Sequence, residues 1–440
     1  MKYPRYPAYK DSGFEWIGEI PEHWDLIPLK WTITIMKGKV PKNIETDASE
    51  TKDYLPYLSM EFLRGETSKQ WIRVDNSTFV VNEGETLLLW DGSNAGEFIK
   101  SRRGILSSTV ALIHSNNVNH NFLFYFCKAA EHKLKELTVG MGIPHVDGDL
   151  LKSLSMPFPS NEEQVSIGNV LDRKMTIIDS LILKEQQIIN FLREKRQAII
   201  TNAVTKGLDL NGRMKDSGVE WIGEIPEHWK VIKLKSASIF NPPKSEIKSY
   251  SGETPVSFFP MESIGDDGKL EHLYFRPISE VINGYTYFKN GDVVIAKITP
   301  CFENGKGALI EGMKSELGFG TTELIVIRPL PILTKSFLYF LTITGLFRNL
   351  GEGAMQGASG QKRVPEKFVT NFKFGLPPLG EQIQISNYVK VNIHKIDDLI
   401  SKQQKMIEFL NEYKTSLITH AVTGKIDVRG FTVPTDSKSA

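Results

Sequence analysis

The sequence predicts an α+β protein with a pseudo-two-fold repeat, in which two mixed α/β domains are joined by two long paired helices. Three observations predict it. The segment Lys10–Trp24 returns as Lys215–Trp229 with one change, Phe14 to Val219. A second segment, Ile178–Gln186, returns as Ile396–Gln404, followed in both copies by Phe-Leu and then Ala-Val-Thr. The stretches between these repeats share little sequence with each other, and both carry short apolar or β-branched runs set off by turn signals.

The two repeats have different offsets. The first segment recurs 205 residues on and the second 218 residues on, so the second unit holds 13 more residues between its constant parts. The chain therefore reads as residues 1–160, a constant segment plus a first variable domain; 161–212, a first long helix; 213–378, a second constant segment and variable domain; 379–428, a second long helix; and 429–440, a flexible tail. Constant parts flanking variable ones suit one scaffold that presents two different surfaces.

The repeated helices follow a heptad seam: Leu171, Met175, Ile178, Ile182, Glu185, Ile189, Leu192, Arg196, Ile199 and Ala203. The positions 218 later are Val389, Ile393, Ile396, Ile400, Gln403, Ile407, Leu410, Lys414, Leu417 and Ala421. Polar residues interrupt both seams at the same places, Glu185/Gln403 and Arg196/Lys414, which suits helices that pair with each other and fix their register. Further apolar residues (Leu181, Ile188, Phe191; Leu399, Met406, Phe409) widen each stripe and leave surface for another partner. Asn161 with Gln164 has the spacing of a helix N-cap and its third residue. At ~1.5 Å per residue, a helix of about 40 residues is roughly 60 Å long, enough for a rigid spacer.

In the variable domains, strands are expected at Glu85–Trp90 and Gly104–Ile113, then at Gly291–Ile298, Gly305–Ile310 and Thr322–Ile327. An amphipathic helix follows each set, over Phe122–Leu137 and Phe337–Leu350. In the constant segments, Trp16, Trp24, Trp221 and Trp229 are expected to anchor the chain against its neighbours.

Composition excludes several functions. Lys+Arg is 53 against Asp+Glu 52, so any basic surface is a local patch. Two cysteines, Cys127 and Cys301, form neither a disulfide framework nor a metal cluster, and the nine histidines lack metal-ligand spacing. No phosphate-binding Gly-x-x-x-x-Gly-Lys-Ser/Thr loop occurs. The N-terminus lacks the apolar core of a signal peptide, and the most apolar run, Phe337–Phe347, is too short to span a bilayer, so a cytoplasmic protein that avoids membranes is expected. Glu15, Glu19 and Glu22 recur as Glu220, Glu224 and Glu227 in both constant segments, which argues for structure and against acid–base chemistry. Asn241-Pro242-Pro243-Lys244 is similar to the Asn-Pro-Pro-aromatic motif of adenine-N6 methyltransferases, but Lys244 stands where a ring must stack on the flipped base.

Ser-Gly-x-Glu-Trp-Ile-Gly-Glu-Ile-Pro-Glu-His-Trp, present twice, each time followed by a variable domain and then by Pro-x-x-x-Glu-Gln opening a long helix that ends in Ala-Val-Thr, resembles the specificity subunit of type I restriction–modification enzymes. The resemblance covers essentially the whole chain. It implies two target recognition domains joined by two long antiparallel coiled-coil helices, and a chain with no catalysis of its own. It implies double-stranded DNA as ligand, read as a bipartite site, with two methyltransferase subunits docked on the helices and restriction subunits beyond them. It places S-adenosylmethionine, ATP and Mg2+ on those partners and no cofactor on this chain. Half-sites read from one face of the duplex should lie about one helical turn apart, roughly 10 bp between centres.

Base and phosphate contacts favour Arg, Lys, Asn, Gln and Ser on loops. In the first unit Ser93, Asn94, Lys100, Arg102 and Arg103 flank a hairpin; in the second, Lys297, Asn304 and Lys306 occupy the comparable hairpin. Gly142-Ile143-Pro144-His145 aligns at the 218 offset with Gly360-Gln361-Lys362-Arg363, which gives His145 on one side and Gln361, Lys362 and Arg363 on the other; the resemblance places this loop facing DNA. Lys244 and Ser245 are candidates for phosphate contact. Two alternatives remain at this point: a bivalent adaptor for a ligand other than DNA, and a methyltransferase using Asn241-Pro242-Pro243.

Overall fold

The heptad segments form helices Asn161–Lys206 and Leu379–Val422, of 46 and 44 residues. The computed structural model describes residues 3–41, 44–46, 49–51, 53–136, 144–209, 211–266, 268–270, 274–358 and 360–430. By internal contacts the chain divides into one unit of Met1–Gln186 with Lys405–Ala440 and a second of Gln187–Gln404, so each unit contains part of both helices.

In the first unit the two helix portions run antiparallel. Met175 and Ile178 share a core with Leu417, Ile418 and Ala421, and the Lys414 ammonium lies 2.6 Å from Asp179. In the second unit Ile200, Ala203 and Val204 share a core with Ile385 and Val389, and Arg196 lies 3.1 Å from Asp397. Arg196/Lys414 and Asp179/Asp397 are both pairs 218 residues apart, so the polar seam positions make the same ion pair once in each unit. Glu185, the other polar seam position, buries one carboxylate oxygen without a hydrogen bond among the described residues.

The start of the first helix corrects the expected cap by one residue. Ser160 accepts from the Glu163 backbone N–H at 3.3 Å, and the Glu163 carboxylate accepts from the Ser160 N–H at 3.3 Å, a reciprocal capping box. Gln164 instead ties the variable domain to the helix: its carbonyl accepts from Asn119 N–H at 2.8 Å and its amide donates to the Pro159 carbonyl. Gln382 does the same in the second unit, accepting from Thr334 N–H at 2.8 Å and donating to the Pro377 and Ile332 carbonyls. Both glutamines are buried, so each forms bonds that would be costly to leave unmade.

The preceding glutamate holds the constant segment. Glu163 meets His23 at 3.0 Å and accepts from Trp24 Nε1 at 3.4 Å; Glu381 meets His228 at 2.7 Å and accepts from Trp229 Nε1 at 3.1 Å. Trp24 and Trp229 are fully buried. Trp16 is half-buried against Phe126 and His132, whereas Trp221 is 42% exposed, the least buried of the two pairs.

Burial pushes the Glu163 carboxyl up, but hydrogen bonds from His23, Trp24 and the Ser160 backbone outweigh it and leave it below its ordinary value of 4.5. A depressed folded-state value gives stability that is present above the unfolded value and is lost as pH falls through the folded one. Melting temperature should therefore fall more steeply between about pH 5 and about pH 3 in the wild type than in Glu163→Gln. Parallel acid profiles would contradict this.

In the first unit, β1 (Thr34–Lys37), β2 (Thr86–Leu89), β3 (Phe98–Lys100) and β4 (Val110–His114) form an antiparallel sheet in the order β1-β4-β2-β3. In the second, β5 (Ser238–Phe240), β6 (Val293–Ala296), β7 (Gly307–Leu309) and β8 (Leu324–Pro329) give the matching order β5-β8-β6-β7. The variable domains are thus also repeats in fold, although their sequences do not show it. Each sheet is buried on both faces. Leu88 and Phe98 face the helix His120–Glu136, while Leu87, Leu89 and Leu112 face Leu58, Phe62 and Val81. Strands buried on both sides lose the alternation that would reveal their register.

The second unit departs from the first beside this sheet. Tyr274–Pro277, Pro255–Phe259, Leu317–Gly320 and Thr286–Lys289 form one further four-stranded sheet. The first unit has two separate ribbons there, Tyr54–Pro56 with Trp71–Arg73 and Val80–Val81 with Gly104–Ile105, and one parallel bridge from Tyr57 to Ile105.

Arg429, expected in a flexible tail, is part of the first unit. Its guanidinium lies 4.7 Å over the Tyr6 ring and donates to Glu163 at 2.9 Å, while Asp427 N–H donates to the Pro4 carbonyl at 2.8 Å.

Candidate nucleic-acid interface

In each unit a loop leaving the sheet and a second loop preceding the long helix are joined by the same backbone pattern. In the first unit Asp91 bridges His145, Gly92 N–H donates to Pro144 at 3.0 Å, and Val146 N–H donates to Trp90 at 3.0 Å. In the second, Ile298 bridges Arg363, Thr299 N–H donates to Lys362 at 3.0 Å, and Val364 N–H donates to Lys297 at 2.8 Å. His145 and Arg363, 218 residues apart, therefore occupy one scaffold position.

This pattern brings together Ser93, Asn94 and His145 in the first unit, all exposed. In the second it gathers exposed Gln361, Lys362 and Arg363 beside half-buried Lys297, and exposed Asn304 follows later in the same loop as Lys297. Gly142 and Ile143 lie outside the described residues. Sequence reading missed Lys37 at the end of β1. Its ammonium lies 2.8 Å from Asp91 and 5.7 Å from the centre of the Trp90 ring, a place set only by the pairing of β1 with β4.

The other candidates do not join these faces. Lys100 ends β3 and Arg102 and Arg103 follow it, at the end of the hairpin away from Ser93 and Asn94. The Lys100 ammonium lies 2.6 Å from Asp172, which also accepts from the Tyr125 hydroxyl at 2.6 Å, so Lys100 braces the sheet against the long helix. Arg102 stacks 4.0 Å over the Phe62 ring and donates to the Phe62 and Glu66 carbonyls; Arg103 is exposed. Lys306 donates to the Met261 carbonyl at 3.2 Å, so its charge is directed into its own unit.

Lys244 donates to the Ile282 carbonyl, and burial lowers its pKa; Ser245 is exposed at the start of the short turn Lys244–Ile247. Asn241, in the left-handed region at φ 43°, accepts from Val326 N–H at 3.0 Å and donates to Glu366 at 3.0 Å. Its amide is thus engaged on both sides, by a backbone N–H and by a carboxylate. Among the described residues no group of three or more His, Cys, Asp or Glu is placed to hold a metal ion, and no helix is long and apolar enough to cross a membrane.

The second face is set by charge as well as backbone. The Arg363 side chain grips Glu323, with Nε 2.9 Å and Nη2 2.7 Å from its carboxylate oxygens. These bonds hold the Glu323 carboxyl below, and the guanidinium above, their ordinary values.

Two polar loop faces on equivalent sheets, differing in side chains, are what recognition of two different targets requires. Residues 21–191 match the family described as "Type I restriction modification DNA specificity domain". The chain is 31% identical to the type I restriction enzyme MjaVIII specificity subunit of Methanocaldococcus jannaschii, over 96% of this chain and 98% of that one. It is 20% identical to the type I restriction enzyme EcoKI specificity subunit of Escherichia coli, over 93% and 90%. In fold it is similar to a solved chain of a type I R-M system, at a TM-score of 0.60 and 16% identity, over 93% of this chain and 99% of that one. The matched family is described as a DNA specificity domain and the relatives as specificity subunits, which favours DNA over another ligand. The repeated scaffold, the paired loop faces and the full-length similarity together place the chain among the specificity subunits of type I restriction enzymes, the non-catalytic DNA sequence-recognition members of restriction–modification complexes.

Proposed function

We propose that each unit reads one half of a bipartite DNA site through its paired loops. The observation that carries this is the shared backbone pattern holding His145 in one unit and Arg363 in the other: one presentation device, two chemistries. Phosphate and base contacts come from Ser93, Asn94, His145 and Lys37 on one side, and from Lys297, Asn304, Gln361, Lys362 and Arg363 on the other. The candidates already engaged within the fold (Lys100, Arg102, Lys244, Lys306) serve as supports, and Arg103 and Ser245 lie outside the two faces.

The exposed apolar residues of the helices are the docking surface for two methyltransferase subunits. In the first unit these include Leu181, Met406 and Phe409; in the second, Ile188, Phe191 and Leu399. Leu181/Leu399, Ile188/Met406 and Phe191/Phe409 are pairs 218 apart, which suits two copies of one partner. The partners supply S-adenosylmethionine-dependent adenine methylation, and restriction subunits supply ATP- and Mg2+-dependent cleavage. The complex acts in the cytoplasm, where its DNA is.

The test is co-expression of the chain with its companion methyltransferase, followed by genome-wide mapping of methylated adenine. Modified adenines in a single two-part motif are expected. A complex that binds no DNA at low salt, or that methylates without a bipartite motif, would refute the proposal.

A further inference from the structure

We propose that Arg363 reads a guanine in the half-site taken by the second unit, with Glu323 as the positioning residue that aims it. The inference deepens the proposed function and rests on it.

The backbone of Arg363 is fixed on both sides. Its N–H donates to Gln356 and its carbonyl accepts from Gln356, while its neighbours Lys362 and Val364 bond to Thr299 and Lys297. The side chain is fixed along one edge only. Glu323, directly before β8, takes Nε and one Nη2 hydrogen, whereas Nη1 makes no hydrogen bond among the described residues. The side chain stays 47% exposed, so the outer edge, one N–H from each of Nη1 and Nη2, is presented outward.

Two parallel N–H donors match the O6 and N7 acceptors that guanine shows in the major groove. A carboxylate on the opposite edge sets the guanidinium plane before DNA arrives and removes rotamer freedom that binding would otherwise have to freeze. It also offsets the charge, which weakens any sequence-independent pull toward phosphate and favours a geometric contact to a base edge. The first unit cannot make this contact. His145 stands at the matching position, and Asp91, bridged to it, has its carboxylate paired with Lys37. A guanine read in this way therefore belongs to one half-site only.

The experiment compares methylation maps of the full chain, co-expressed with its methyltransferase, for the wild type, Arg363→Ala and Glu323→Gln. The wild-type motif is expected to contain a fixed guanine in one half. Arg363→Ala should lose preference at that position alone, by about 5- to 140-fold, the range of one bidentate contact. Glu323→Gln should relax the same position by less, with complex yield and the other half-site unchanged.

An unchanged motif in Arg363→Ala overturns the proposal. So does a uniform loss across all sites with a shallower salt dependence, which would mark a phosphate contact. Glu323→Gln with full guanine preference overturns the positioning role. A wild-type complex without any bipartite motif would instead refute the proposed function, so the two failures are separable.

Discussion

Replacing Arg348 by methionine should destabilise the second unit by about 3 kcal/mol or more and abolish discrimination in its half-site. Arg348 is almost fully buried, and burial pulls its guanidinium down to about 10, so it is still charged at neutral pH. It donates to the carbonyls of Thr342 at 2.8 Å, Phe302 at 3.0 Å and Gly305 at 3.2 Å, and stacks 4.7 Å over the Phe302 ring. Phe302 and Gly305 belong to the loop that carries Lys297 and Asn304, so Arg348 holds that loop through its backbone. Methionine fills similar space but donates nothing: the Thr342 carbonyl and the partly buried Gly305 carbonyl lose this donor, and the Phe302 carbonyl keeps only the Gly305 N–H, each lost bond to the cation being worth roughly 1–3 kcal/mol. Chemical denaturation reads the stability, and the methylation map reads the recognition. A variant with wild-type stability and an unchanged motif would show that the loop holds its shape without this cation.

Trp229→Ala should cost about 3–5 kcal/mol, and Trp24→Ala a similar amount in the other unit. Each ring is fully buried, and each indole N–H donates to the glutamate that opens a long helix. Removing the ring leaves a large cavity and takes a donor from a carboxylate, buried for Glu163 and partly exposed for Glu381. Packing around Trp229 is close: a Cβ on Gly375 would come within 2.8 Å of its ring. Trp→Phe should recover most of the cavity term but not the hydrogen bond, which gives an intermediate midpoint. Equal midpoints for Phe and Ala would assign the loss to the hydrogen bond alone. With two compact units in the chain, unfolding is best followed by a probe placed in each.

Much of the architecture was legible. The near-copy of Lys10–Trp24 at Lys215–Trp229 announced the repeat, and the heptad spacing with matched polar interruptions announced the helices and their pairing. The motif Pro-x-x-x-Glu-Gln was visible but its purpose was not: Glu163 and Glu381 hold a tryptophan and a histidine from more than 100 residues away. The common order of the two sheets was hidden, because strands buried on both faces carry no alternating pattern from which to read pairing.

Candidate contacts divided on the same principle. Lys100, Arg102, Lys244 and Lys306 looked available because a lysine or arginine on a loop is usually solvated, and their partners Asp172, Phe62, Ile282 and Met261 are all distant in sequence. His145 and Arg363 were aligned by the repeat alone, but only bridges to Asp91 and Ile298 showed that they stand beside the hairpin loops.

The sequence by itself determined the repeat, the helices and the absence of a phosphate-binding or metal-ligand motif, because these are matters of local period and residue type. Tertiary structure alone decided which polar side chains face outward together, because that depends on strand pairings and ion pairs between segments far apart in the chain. Arg363 is the clearest case: one loop cation among many in the sequence, it becomes a directed donor once Glu323, forty residues away, holds one edge of it.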